Sequence, residues 1–202
     1  MAPVEKISIT PPLPAASGFP YPLLARSTVM PCLIRPCLIR PCLPADLPAV
    51  LAVQAECYIP AMNEPGEVML ARLASAPAFA WVAEEAGEVG AYLMTYPSRI
   101  GKVTPLGADF SPAADADCLY VHDLAVSPRW RGSGAGVRLV NHALQEAARR
   151  GLQQAALVCV QAAGPFWEKL DFADFSGLTA DARAALATYP GGGRYMVRRG
   201  AY

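Results

Sequence analysis

The segment from Leu124 to Val140, Leu-Ala-Val-Ser-Pro-Arg-Trp-Arg-Gly-Ser-Gly-Ala-Gly-Val-Arg-Leu-Val, leaves few folds open to this chain. An apolar strand runs into Ser127-Pro128, glycines follow at positions 132, 134 and 136, and an amphipathic helix of about 134–150 begins among them. Val137, Val140, Leu144 and Ala147 recur on one face of that helix, with Arg138, Gln145 and Arg149 on another. Arg149 and Arg150 suit the carbonyl end of the helix dipole, and Gly151 supplies the stop. Glycine permits close approach and left-handed dihedrals, so successive N–H groups can converge on one anion where the dipole adds partial positive charge. Strand, glycine turn and helix in this order form a phosphate cradle and place the chain in the α/β class.

The rest of the pattern reads as a strand over 37–40, a helix over 47–57 with Asp46 as its N-cap, and a second short helix over 64–74. Residues 79–84 and 88–96 form a β-hairpin around Glu85-Ala86-Gly87. A Gly/Pro/Asp-rich loop over 97–116 leads to a strand over 118–126. After the glycine turn and its helix come a strand over 155–160, a short helix over 162–170, and strands over 172–175 and 194–198. The order predicts a mixed sheet flanked by helices. Residues 1–36 differ: eleven of the twenty prolines precede residue 49, and only Glu5, Lys6 and Arg26 carry charge in the first 34 positions. Proline removes backbone donors and blocks helix propagation, so this segment is expected to be an irregular arm ahead of a domain spanning 37–202. It lacks the basic start and unbroken apolar run of a secretory leader. Its PCLIR duplication is too brief for a solenoid, and Met30 is an alternative start.

Seventeen basic residues balance seventeen acidic ones, so the chain lacks the electrostatic footprint of a nucleic-acid binder. No stretch reaches the ~18 uninterrupted apolar residues that a membrane helix needs. Six cysteines form no C-x₂-C pair, and only His122 and His142 could join them, so no metal is expected. Free thiols suit a reducing compartment, and the expected location is the cytoplasm.

Three kinds of phosphate loop compete for the glycine turn. A Walker loop ends in Gly-Lys-Ser/Thr, where this chain has Gly136-Val-Arg. A dinucleotide fold requires G-x-G-x-x-G, followed by an acidic residue at the end of the next strand, where Val158-Cys-Val-Gln161 offers none. The third pattern, Arg/Gln-x-x-Gly-x-Gly/Ala, is met by Arg131-Gly132-Ser133-Gly134-Ala135-Gly136, and it is similar to the pyrophosphate loop of the GCN5-related N-acetyltransferase (GNAT) superfamily. The resemblance covers about residues 37–199. It includes Ile39-Arg-Pro-Cys-Leu-Pro-Ala-Asp46, Leu124-Ala-Val-Ser-Pro128, Phe166-Trp-Glu-Lys-Leu-Asp-Phe172 and the closing Tyr195-Met-Val-Arg198.

The resemblance implies a mixed, mostly antiparallel sheet whose fourth and fifth strands splay apart to admit the pantetheine of acetyl-CoA, the expected co-substrate. Backbone groups of Leu124, Ala125 and Val126 would pair with pantetheine, amides from Arg131 to Gly136 would hold the pyrophosphate, and Phe166 and Trp167 would flank the thioester. Lys169 is a candidate for the nucleotide phosphate, or equally a solvated lysine.

Acyl transfer to an amine needs a neutral nitrogen, so a base must take its proton. His122, in a strand expected to be buried on both faces, is the candidate; the alternative is a hydrogen-bonded core histidine. Its position resembles a histidine of arylalkylamine N-acetyltransferases, as does Leu157-Val-Cys with Pro165-Phe-Trp. Asp123 points to the opposite face of an ideal strand. Cys159 is expected to be structural, because direct attack on the thioester needs no covalent enzyme intermediate. The position at which the family commonly carries a tyrosine, proposed to protonate the leaving thiolate, is Trp167; Tyr120 or Tyr195 could substitute. Residues 56–72 and 97–116 are expected to shape the acceptor pocket, with Glu56, Tyr58 and Glu64 as groups that could attract a small primary amine. The alternative is a catalytically weak or inactive acyl-CoA-binding sensor of the same fold. The oligomeric state is left open.

Overall fold

The structure, a computed structural model, describes residues 37–200; the proline-rich arm expected over 1–36 and the alternative start at Met30 lie outside the described residues. Seven strands form one sheet in the order β1-β2-β3-β4-β5-β7-β6, with β1 Leu38–Pro41, β2 Ala80–Glu85, β3 Glu88–Ser98, β4 Cys118–Val126, β5 Gln154–Cys159, β6 Ala173–Asp174 and β7 Arg194–Arg199. Neighbours are antiparallel except β4 and β5, which run parallel. The helices are α1 Leu47–Cys57, α2 Gly66–Ser75, α3 Ala135–Arg149, α4 Gly164–Glu168 and α5 Ala180–Leu186.

Alternation along the strands sends side chains to two cores. Tyr92, Met94, Tyr96 and Tyr120 pack with Val50, Val53, Met69 and Leu73 of α1 and α2. Leu93, Leu119, Val121 and Leu157 pack on the other face with Leu139, Val140, Ala143, Leu144 and Ala147 of α3. The α3 stripe is therefore rotated from the expected one: Val140, Leu144 and Ala147 are buried, whereas Val137 is 39% exposed.

Local chemistry explains the element ends. The β2–β3 turn places Ala86 at φ 52° and Gly87 at φ 82°, the left-handed pair that a two-residue hairpin needs. At the end of α3, Gly151 (φ 84°) donates to the Ala148 carbonyl and Leu152 donates to Ala147, both at 3.0 Å, closing a Schellman motif with Leu152 buried. Asp46 does not cap α1 with its side chain: it accepts the Leu43 N–H at 2.8 Å and binds Arg40 through both carboxylate oxygens. A 3-10 turn over Pro44–Asp46 satisfies the helix entry instead. Helix α5 was not expected; Thr179 caps it, accepting the Ala182 N–H at 3.2 Å. No helix among the described residues is long and apolar enough to cross a membrane.

Candidate active site

Strands β4 and β5 pair only at Leu119↔Ala155, Tyr120↔Ala156 and Val121↔Leu157, although β4 continues to Val126 and β5 to Cys159. Beyond Val121 the two strands part. A cavity of about 330 Å³ opens there, reached by His122, Leu124, Ala125, Val126, Arg131, Phe166 and Trp167 among the residues expected at the site. Ser127 N–H donates to Gly90 on β3 at 2.9 Å, so by strand alternation the backbone groups of Val126 and Leu124 face the gap. Side chains confirm the direction. Tyr58 Oη lies 3.0 Å from the Leu124 carbonyl, and Cys57 Sγ lies 3.2 Å from that of Val126.

The β3–β4 ladder slips at the same level. Thr95 pairs with Val121 and Met94 with Asp123, leaving His122 as the extra residue of a β-bulge. The bulge resets the alternation. Cys118 and Tyr120 face α1, Leu119 and Val121 face α3, then His122 and Asp123 both turn toward α1, and Leu124 returns to the α3 side. Asp123 thus joins His122 instead of opposing it.

The His122 side chain is 2% exposed, its ring edge-on to Phe110 at 5.1 Å. Nε2 lies 3.4 Å from Glu64 Oε2, long for a hydrogen bond but close enough to orient the ring, and Nδ1 is buried with no hydrogen-bond partner. Glu64 is itself fixed. Its backbone exchanges two hydrogen bonds with the Gln54 amide, its carboxylate is paired with the fully buried Arg72, and Oε1 accepts the Gly107 N–H at 2.8 Å. Burial opposes ionisation of Glu64, but His122 and Arg72 outweigh it and hold the carboxyl at about 2. Arg72 also donates to the Ala108 carbonyl at 2.6 Å, so this ion pair ties the 99–117 loop over the site.

Asp123, 7% exposed, accepts Tyr58 Oη at 2.7 Å and Tyr92 Oη at 2.6 Å. Burial pushes its carboxyl up, against the two tyrosine hydrogen bonds that pull it down. Three consecutive residues at the end of α1 hold the end of β4: Glu56 accepts the Ser127 hydroxyl at 2.6 Å, Cys57 meets Val126, and Tyr58 meets Leu124 and Asp123.

At the glycine turn, Gly132 (φ 77°) and Gly134 (φ 81°) adopt the left-handed conformation. The amides of Arg131 and Ser133 turn inward to the Pro128 and Trp130 carbonyls, and that of Ala135 meets Ser133 Oγ at 3.2 Å. The first bond of α3 runs from Arg138 N–H to the Gly134 carbonyl at 3.0 Å, so Gly136 and Val137 present N–H groups ahead of it. A Cβ on Gly136 would lie 3.2 Å from Val126 Cγ2 and 3.6 Å from Phe166, so glycine lets α3 start close against β4 and α4. Phe166, Trp167 and Phe172 pack edge to face at 4.9 and 5.4 Å. Lys169 is exposed and does not line the cavity. Tyr120 and Tyr195 do not line it either: the Tyr120 hydroxyl is buried without a hydrogen-bond partner, and that of Tyr195 accepts the Gly101 N–H at 2.9 Å. The described cysteines are free thiols, and among the described residues no cluster of His, Cys, Asp or Glu is placed to hold a metal ion.

Residues 47–172, the stretch that contains the bulge, the parted strands and the glycine turn, match the model of the acetyltransferase (GNAT) family. The chain belongs to this family. Its GNAT fold is shared with solved structures at low identity. The GphF GNAT-like decarboxylase in complex with isobutyryl-CoA is similar at TM-score 0.66 and 16% identity, over 80% of this chain and 98% of that one. The ribosomal-protein-S18-alanine N-acetyltransferase from Escherichia coli is similar at 0.58 and 16%, over 82% and 95%. The paia N-acetyltransferase from Thermoplasma acidophilum in complex with coenzyme A is similar at 0.58 and 12%, over 81% and 98%. No curated protein matches the chain in sequence. At these identities the likeness to solved structures is one of fold.

Proposed function

We propose that this GNAT domain is an acetyl-CoA-dependent N-acetyltransferase that moves an acetyl group to a small primary amine by direct attack of the amine on the thioester. The observation that carries this reading is His122, lifted by the β4 bulge to the point where β4 and β5 part, with Nδ1 buried and unpartnered. Glu64 beside Nε2 favours the proton on that nitrogen, which leaves the Nδ1 lone pair to accept a proton from the amine. Arg72 already balances the Glu64 charge, so the contact orients the ring.

The residues present suit acetyl-CoA. The open β4 edge at Leu124 and Val126 offers backbone groups to a pantetheine arm in the manner of an added strand. The start of α3 offers N–H groups and a helix dipole to the diphosphate, and the absence of a Cβ at Gly136 keeps that surface close to β4. Phe166 and Trp167 line the cavity beyond the parted strands. Structural relatives named for N-acetylation and for complexes with coenzyme A support the same reading. The resemblance of His122 to the histidine of arylalkylamine enzymes supports an amine acceptor and is carried by sequence alone. Thiol release from acetyl-CoA across a panel of primary amines tests the proposal. Acceptor-dependent release is expected, and tight CoA binding without it would sink the reading.

A further inference from the structure

The site lacks a tyrosine where GNAT enzymes commonly carry one, and Trp167, whose indole N–H is no useful proton source at neutral pH, stands there. We propose that Tyr58, from the end of α1, donates the proton to the departing thiolate in this chain; the inference rests on the N-acetyltransferase reading.

Tyr58 and Trp167 line the same cavity, and Tyr58 Oη reaches the Leu124 carbonyl at 3.0 Å, on the edge of β4 that the splay opens. The other two tyrosines considered, Tyr120 and Tyr195, are outside the cavity lining. Tyr189 also lines the cavity, but its hydroxyl is directed at the Thr104 carbonyl of the 99–117 loop, at 2.8 Å, and not at the edge of β4.

A phenol has one proton, yet Tyr58 Oη faces two acceptors, Asp123 Oδ1 at 2.7 Å and the Leu124 carbonyl at 3.0 Å. All three are satisfied together when Asp123 carries a proton, donates it to Tyr58 and leaves the phenol proton directed at Leu124, toward the gap. Burial biases Asp123 toward that form. The bulge makes the arrangement available, since an unbulged β4 would point Asp123 into the opposite core.

The proton balance closes. The amine nitrogen forms its bond to the acyl carbon and gives one proton to His122. The carbon–sulfur bond breaks, and the sulfur takes the Tyr58 proton. Asp123 restores the phenol through their hydrogen bond, and the His122 proton returns to Asp123 through solvent as the products leave. Asp123 acts through Tyr58 and is a positioning residue.

The test uses the full chain. Tyr58→Phe is expected to lower kcat with acetyl-CoA about 100-fold with KM nearly unchanged, and Trp167→Tyr added to it to recover at least roughly tenfold of that loss. Asp123→Asn is expected to lose kcat and to be rescued by Trp167→Tyr in the same way. A Tyr58→Phe kcat within about twofold of the parent, or a loss that Trp167→Tyr leaves untouched, overturns the assignment. Binding separates this result from the reading beneath it. At pH above the thiol titration, the parent is expected to bind CoA about tenfold more tightly than desulfo-CoA, with the preference lost in Tyr58→Phe. If no amine is acetylated, N-acetyltransfer fails on its own account. A CoA preference retained by Tyr58→Phe then overturns the donor role, and its loss supports it.

Discussion

His122 and Asp123 are consecutive in β4, yet both side chains face the α1 layer, because the ladder to β3 skips a partner between Val121 and Asp123. One extra residue places an imidazole and a carboxyl at the mouth of the opening between β4 and β5. The imidazole is held from the side by Glu64 on the loop before α2, and the carboxyl by tyrosines from the end of α1 and from β3.

The proposed base role of His122 predicts a specific pH behaviour. His122→Gln is expected to lower turnover at neutral pH by about 100-fold or more, with partial recovery in alkaline solution, where the acceptor amine loses its proton unaided. The pH–rate profile of the variant measures this, and a profile matching that of the parent removes the base role.

Glu64 predicts a stability that depends on acid. Its carboxyl is held at about 2 in the fold against an ordinary 4.5, so between these values the unfolded chain binds the extra proton. The contribution is complete above about pH 4.5 and is lost as pH falls toward 2. Urea unfolding at successive pH values is expected to show this loss in the parent. Glu64→Gln, which leaves Arg72 buried without its counter-charge, should flatten the loss and cost about 3–5 kcal/mol at neutral pH. An equal acid slope in both proteins contradicts the assignment.

Much of this architecture is legible in the sequence, and the reasons are local. Gly151 stops α3 because a left-handed residue is needed there. Ala86-Gly87 turns the hairpin for a related reason, and the strand–glycine–helix unit survives intact because its signals lie within a few residues of one another. The bulge is not legible. Nothing in Leu119-Tyr-Val-His-Asp-Leu says which residue the β3 ladder will skip, and strict alternation puts Asp123 on the wrong face. Arg72 reads as an ordinary helix arginine until the fold brings Glu64 and the Ala108 carbonyl to it. Asp46 reads as a helix cap, but Arg40, six residues earlier, captures its carboxylate. Helix α5 carried a usable signal in Thr179 followed by Ala-Asp-Ala-Arg-Ala-Ala-Leu, with a capping hydroxyl directly before strong helix formers.

Gly136 and Gly151 separate binding from stability. Gly136→Val would thrust a branched side chain toward Val126 and Phe166 and push the first turn of α3 off β4. CoA affinity measured by calorimetry is expected to fall at least about tenfold, or 1.4 kcal/mol. Gly151→Ala forces a Cβ into φ 84° at a helix terminus remote from the cavity. It is expected to cost about 1 kcal/mol, a drop in Tm of roughly 2–4 °C, with CoA affinity unchanged.

Trp167→Tyr alone is expected to turn over as fast as the parent or faster, because it adds a second hydroxyl donor to the cavity wall. Steady-state kinetics on the folded variant checks this. A large fall in kcat would make the Trp167 packing against Phe166 and Phe172 the more important property.

The proposed acetyl transfer requires the gap between β4 and β5 to admit a thioester arm while the start of α3 holds its diphosphate. A crystal structure of the chain with acetyl-CoA measures this directly. The predicted result has diphosphate oxygens within hydrogen-bond distance of the Gly136 and Val137 amides and pantetheine lying along Leu124 to Val126. Nucleotide bound elsewhere, or β4 and β5 paired past Val121 and Leu157 with the gap closed, would contradict it.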